Sequence, residues 1–88
     1  MLKLFIHNRF QKDMEKAKKR GKDKRKLDEV VELLLEKKSL PLKYRNHKLQ
    51  GNYDGCWECH VEPDWLLIYE KTKTAIHLLR TGSHSDLF

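Results

Sequence analysis

Long apolar runs are missing from this chain. The longest, Trp65-Leu66-Leu67-Ile68-Tyr69, falls far short of the ~20 residues a spanning helix needs. Mean hydropathy is −0.81, so no membrane association is expected. The N-terminal Met1-Leu2-Lys3-Leu4-Phe5-Ile6-His7 lacks a basic lead, a long apolar centre and a small-residue cleavage site. No signal peptide is read, and a cytoplasmic location is expected. Repeats, low-complexity segments and interdomain linkers are absent too. The 88 residues therefore predict one domain over 1–88 with one modest core. A domain this small hides only ~60% of the surface its unfolded chain exposes, so a partner protein could contribute to its stability.

Cysteine is scarce. The two present lie in Cys56-Trp57-Glu58-Cys59-His60, which fits the C-x-x-C-H pattern of covalent haem attachment. That chemistry belongs to exported proteins, and no export signal is seen. The segment alternates as a strand does, which turns the two thiols to opposite faces. No second cysteine pair exists to close a tetrahedral zinc site, and a redox C-x-x-C would open a helix. Two reduced cysteines are the plain reading. No metal and no cofactor are expected.

Basic residues are abundant and unevenly placed. Residues 1–48 carry a net charge of +9 and residues 49–88 a net −3, within a total of +6. The densest block, Lys16 to Lys26, contains Lys16, Lys18, Lys19, Arg20, Lys22, Lys24, Arg25 and Lys26 against one acid, Asp23. Such a surface is either a solvated helical face or a phosphate-tracking one. An acidic protein partner would also fit it. Lys48 lies just beyond, and together with Lys16, Lys18, Lys19, Arg20, Lys22, Arg25 and Lys26 it makes the candidate RNA-binding set.

Leu2, Leu4 and Ile6 alternate, which predicts a first strand. Asn8 is expected to cap a helix with the stripe Phe10, Met14 and Ala17, an amphipathic helix that Gly21 stops. Asp23 caps a second helix with the stripe Leu27, Val30, Val31, Leu34 and Leu35. The short basic turn between them predicts an antiparallel helical hairpin. Leu40-Pro41 ends the helical region. From Tyr53 onward the pattern is strand, with Tyr53, Trp57, Cys59 and Val61 on one face and Asp54, Cys56, Glu58 and His60 on the other. Pro63-Asp64 is a turn, Trp65 to Lys71 a buried strand, Thr72-Lys73 a hairpin and Ala75 to Arg80 a last strand. The fold class expected is α+β: an N-terminal strand, the helical hairpin, then a curved, mainly antiparallel sheet of three or four further strands.

Three of the five histidines, His47, His60 and His84, stand in turn-rich or strand-end positions. Asp64 follows His60 across the turn and is expected to face it. Arg80 closes the last strand just before Gly82 and His84. RNA can be cut without metal by its own 2′-OH. The reaction needs a base, an acid and a cation for the charge building on phosphorus. Histidine titrates near neutrality and serves as either acid or base, and arginine offers a planar fork to phosphate. Each element also has a plain structural reading. Asp64 is a common turn residue, Arg80 could pair with it, Trp57 and Trp65 pack, and His7 and His77 are surface residues.

The chain also resembles a known family. Leu49-Gln50-Gly51, the run Glu58-Cys59-His60-Val61-Glu62-Pro63-Asp64-Trp65-Leu66-Leu67-Ile68-Tyr69 and the ending Leu79-Arg80-Thr81-Gly82-Ser83-His84-Ser85-Asp86-Leu87-Phe88 are similar to the YafQ branch of the RelE/ParE toxins. These are the toxin halves of bacterial type II toxin–antitoxin pairs. The resemblance covers essentially the whole chain and implies a RelE/ParE-like fold. It further implies a ribosome-dependent, metal-independent endoribonuclease that leaves 2′,3′-cyclic phosphate and 5′-hydroxyl ends on mRNA. The family's functional residues fall on His47, His60, Asp64, Arg80, His84 and Phe88. The roles implied are His84 as general acid, His60 as base with Asp64 orienting it or exchanging roles with it, and Arg80 on the phosphorane. His47 would assist, and Phe88 would pack on a base or buttress the site. The partners implied are an acidic, DNA-binding antitoxin, mRNA on the ribosome, ribosomal RNA, and operator DNA through the antitoxin alone. The competing readings are a gyrase-inhibiting toxin of the same fold, a non-catalytic RNA-binding module and, last, a haem protein.

Overall fold

A computed structural model describes residues 1–88. Strand β1 (Lys3–Ile6) leads into helices α1 (Asn8–Lys19) and α2 (Lys24–Leu35). After a 3₁₀ turn come β2 (His47–Lys48), a second 3₁₀ turn (Gly51–Tyr53), β3 (Trp57–Glu62), β4 (Trp65–Lys71), β5 (Ala75–Gly82) and α3 (His84–Leu87). The strands form one sheet in the order β1-β5-β4-β3-β2. Only β1 runs parallel to its neighbour, with Phe5 opposite His77. The other pairings are antiparallel. The α+β class and the helical pair are as the sequence predicts. No helix is long and apolar enough to cross a membrane.

The sheet has an apolar layer on each face. On one, α1 and α2 bring Phe10, Met14, Leu27, Val30 and Leu34 against Cys59, Val61, Trp65, Leu67, Tyr69, Ile76 and Leu78. On the other, Leu66 and Ile68 form a smaller cluster with Cys56 and Leu87. Strand β4 is thus covered on both sides, and this is why Trp65 to Tyr69 reads as an unbroken apolar run instead of alternating. Trp65 closes the helix side by donating from Nε1 to Thr81 Oγ1 at 2.8 Å, while Thr81 donates to the Leu66 carbonyl at 2.6 Å.

Local signals explain most boundaries. Asp23 caps α2 by accepting from the Arg25 backbone N–H at 3.0 Å. Gly21, at φ +84°, turns the chain after α1 in a conformation that costs other residues a steric penalty. Four expectations need correcting. Asn8 is the first helical residue of α1 and not its cap; His7 holds the cap position without a side-chain hydrogen bond. Of the alternating Leu2, Leu4 and Ile6 only Leu2, just before β1, is buried; all four residues of β1 are exposed, because it is an edge strand. Tyr53 lies in a 3₁₀ turn before β3, and it packs on the Leu66–Ile68 face instead of the helix face. After Gly82 the chain does not simply change direction: Ser83 caps the short helix α3, His84–Leu87.

Candidate active site

Antiparallel register places the polar groups. Glu58, Ile68 and Arg80 are cross-strand neighbours, and so are His60, Leu66 and Gly82 one step along. Neighbours in register share a face, so Glu58, His60 and Arg80 flank an apolar floor made by Leu66 and Ile68. This is the face opposite α1 and α2. A bulge at Leu79 shifts the register between Ile68 and Tyr69 and lets Arg80 join this face; bulges re-aim side chains in this way.

The C-terminal turn lies over the same floor. One turn of helix is unstable by itself, and α3 is held by several contacts. Leu87 is buried against Leu66 and Ile68. Ser83 and Asp86 make a reciprocal capping box. Asp64 Oδ1 accepts from the His84 backbone N–H at 3.1 Å and lies 3.2 Å from His84 Nδ1. His84 and Phe88 are thereby hung over the floor. The ring centroids run His47 to His60 6.5 Å, His60 to His84 5.8 Å and His84 to Phe88 6.3 Å. Tyr53 meets Phe88 edge-on at 5.8 Å. Of the residues expected from sequence, His47, His60, Asp64, Arg80, His84 and Phe88 are all brought to this one face or its rim.

The partnerships differ from those expected. Asp64 serves His84 and not His60. Hydrogen bonds from the His84 backbone and ring hold its carboxyl below the usual aspartate range. The carboxylate beside His60 is Glu58, only 4% exposed. Its Oε1 lies 3.6 Å from His60 Nε2 and 3.5 Å from His47 Nε2. Each ring turns Nδ1 to a carbonyl, His60 to Pro63 at 3.3 Å and His47 to Arg45 at 2.8 Å. A carbonyl only accepts, so Nδ1 carries hydrogen and Nε2 is the nitrogen presented to Glu58. Arg45 turns its carbonyl there from a left-handed backbone, φ 47° and ψ 48°.

Arg80 pairs with Asp13 of α1 instead of Asp64. Nε donates to Asp13 Oδ2 at 2.7 Å, and the two terminal nitrogens donate to Asp13 Oδ1 at 3.3 Å and Tyr53 OH at 3.4 Å. These bonds raise the guanidinium pKa further, chiefly through the Asp13 hydrogen bond. They leave two N–H donors, one on each terminal nitrogen, for another oxygen. Glu58, Asp13 and Tyr53 carried no functional signal in the sequence reading. The face parity of Glu58 with His60 was the one available hint.

The basic block is partly neutralised by its own neighbours. Lys16 and Arg20 meet Asp86, Lys22 and Lys26 meet Glu62, and Arg25 meets Asp23. Lys48 lies over the Trp57 ring, 5.4 Å from its centroid. Lys18 and Lys19 have no such partner and remain the free cations of the set. A cleft of about 520 Å³ opens beside His60, with Lys26, Lys43 and Arg45 but also Glu29 and Glu62 along its walls. His7 and His77 lie away from the site and face each other, Nε2 to Nδ1, at 3.0 Å.

Both cysteines are buried and unpaired, and they sit in different apolar layers. Burial pushes the Cys59 thiol up to about 12. These are inert thiols, in keeping with the plain reading and against haem or redox use.

The profile of the YafQ family, bacterial toxins of type II toxin–antitoxin systems, matches residues 2–88. The mRNA interferase toxin YafQ of Escherichia coli K12 is 44% identical over 80 residues, 90% of this chain and 87% of that protein. A copper-bound mutant toxin from Helicobacter pylori superposes with a TM-score of 0.95 at 41% identity, covering 100% of both chains. YafQ in the E. coli DinJ–YafQ complex gives 0.92 at 39%, covering 100% of this chain and 99% of that one. The chain therefore belongs to the YafQ family of type II toxins.

Proposed function

We propose that this toxin is a ribosome-dependent endoribonuclease that cuts translated mRNA by attack of the 2′-OH, leaving 2′,3′-cyclic phosphate and 5′-OH ends. Endonucleolytic action on mRNA is supported by the identity to the E. coli mRNA interferase. The finer reading rests chiefly on one observation. His60 and His84 stand on one sheet face with ring centroids 5.8 Å apart, and Arg80 shares that face. An acid and a base on one face, with a cation held on that face by Asp13, suit in-line displacement at phosphorus.

In this scheme Nδ1 of His84 is occupied by Asp64, so Nε2 delivers the proton to the departing 5′-oxygen. Nε2 of His60 takes the proton of the 2′-OH, and Glu58, 3.6 Å from that nitrogen, stabilises the imidazolium that results. The contacts from Glu58 to the two rings are longer than hydrogen bonds, and such contacts commonly tighten when substrate binds. Arg80 places its free N–H donors on the phosphorane oxygens. Phe88 and Tyr53 give a base an aromatic surface to lie on. His47 supports Glu58 and contacts phosphate. Lys18, Lys19 and Lys48, with the cleft cations, bind RNA of message or ribosome.

The H. pylori relative is recorded with copper. The proposed steps use this chain's own side chains. As the E. coli relative assembles with DinJ, we assign this toxin a cognate antitoxin, acidic and DNA-binding, in a cytoplasmic setting. Incubating purified toxin with one mRNA, free and on programmed ribosomes, tests the reading. Cleavage on ribosomes with a cyclic phosphate terminus is expected. Equal cleavage of free RNA would remove ribosome dependence, and no cleavage of either would leave a toxin that acts by binding.

A further inference from the structure

Asp13 and Lys16 on α1 and Arg20, the residue that caps its C-terminus, stand at i, i+3 and i+7, so they share one face. All three reach the last nine residues of the chain. Asp13 holds Arg80 through Nε at 2.7 Å and also accepts the Thr81 backbone N–H at 3.2 Å. β1 has ended by this point of β5, and α1 takes its place along the sheet edge. Two turns further on, Arg20 grips Asp86 with both terminal nitrogens, at 2.6 and 3.2 Å, and Lys16 adds a contact at 3.3 Å. Asp86 meanwhile accepts the Ser83 backbone N–H at 2.9 Å. Between the two grips Gly82 bends the chain so tightly that a Cβ there would come within 2.9 Å of Asp86 Oδ2.

We infer that Arg20 is a positioning residue for cleavage, working with Asp13 along α1. The helix acts as a rigid spacer between two grips, one on Arg80 and one on the turn that bears His84 and Phe88. This inference rests on the nuclease reading above. It replaces the expectation that Arg20 binds RNA, because both terminal nitrogens of the half-exposed Arg20 are engaged by Asp86, whose side chain is 15% exposed. A rigid helix fixes spacing in a way that a free tail of six residues cannot, and misplacement of a reacting group by about 1 Å can cost on the order of a hundredfold in rate.

Three variants on programmed ribosomes separate the two roles: Arg20→Lys, Arg20→Ala and Asp86→Asn. Lysine keeps the charge but not the two-pronged grip. A positioning role lowers kcat about tenfold or more in all three, with ribosome affinity and its salt dependence unchanged for Arg20→Lys. Melting curves show whether each variant is folded at the assay temperature. For a variant that is not, the assay is repeated below its melting point beside wild type. An RNA-binding role would leave Arg20→Lys and Asp86→Asn at wild-type kcat and make Arg20→Ala raise KM and flatten the salt slope by about one. That pattern overturns the inference. If wild type itself cleaves nothing, the nuclease reading fails and this inference falls with it.

Discussion

Asp64 and His84, 20 residues apart in sequence, are joined twice, by the His84 backbone N–H at 3.1 Å and by its ring Nδ1 at 3.2 Å. The carboxylate fixes which nitrogen holds hydrogen and which faces outward, as second partners of catalytic imidazoles do. Asp64→Ala should lower the single-turnover cleavage rate by about ten- to a hundredfold. Asp64→Asn should lose less, because its amide oxygen still accepts from both groups. Equal rates for wild type and the alanine variant would show that the pairing is incidental.

Glu58 is a carboxylate buried under two imidazoles. Glu58→Gln keeps its shape and removes its charge. The expected result is a rate reduced by about a hundredfold, with circular dichroism and melting close to wild type. Cleavage at the wild-type rate would assign Glu58 to packing alone.

Thr81 is 1% exposed, and it both accepts from Trp65 and donates to the Leu66 carbonyl. Thr81→Val preserves volume but strands the indole N–H. Urea unfolding should show a loss of about 1–3 kcal/mol. A smaller loss would mean that the indole finds another acceptor.

Asp86 gives a pH signature. The Arg20 hydrogen bond, above all, holds its carboxyl well below the ordinary aspartate value of 3.8. A depressed folded pKa stabilises the fold fully above the unfolded value and loses that contribution as pH falls through the folded one. Wild type should therefore melt above Asp86→Asn by a constant margin at neutral and mildly acidic pH. The margin should begin to shrink below about pH 4 and be lost only in strong acid, as pH falls through the folded value. A margin that stayed constant to strongly acid pH would contradict the ionic origin of the clamp.

The helix stripes, the Asp23 cap, the opposed cysteines and the doubly covered β4 were legible because each is a local pattern with its own period or turn chemistry. The six site candidates were legible as residue types near strand ends, and most sharply through the family resemblance. Their partners were not. Asp13 meets Arg80 across 67 residues, and Arg20 meets Asp86 across 66; no spacing rule spans such distances. Asp64 was assigned to His60 because they are neighbours in sequence, whereas α3 folds His84 back onto it. That turn had a signal after all: Ser83-His84-Ser85-Asp86 is a short capping-box pattern of the kind that marks a helix start. β1 misled because alternation shows which residues could be buried, and an edge strand has too little above it to bury them.

The central claim is most directly tested by inducing the wild-type toxin and His84→Ala in parallel cultures and mapping mRNA 5′ and 3′ ends beside the growth curves. The expected result is arrest with new in-frame ends, 5′-hydroxyl on one fragment and cyclic phosphate on the other, in the wild type only. Arrest by both proteins without new ends, or equal cleavage by both, would contradict the account.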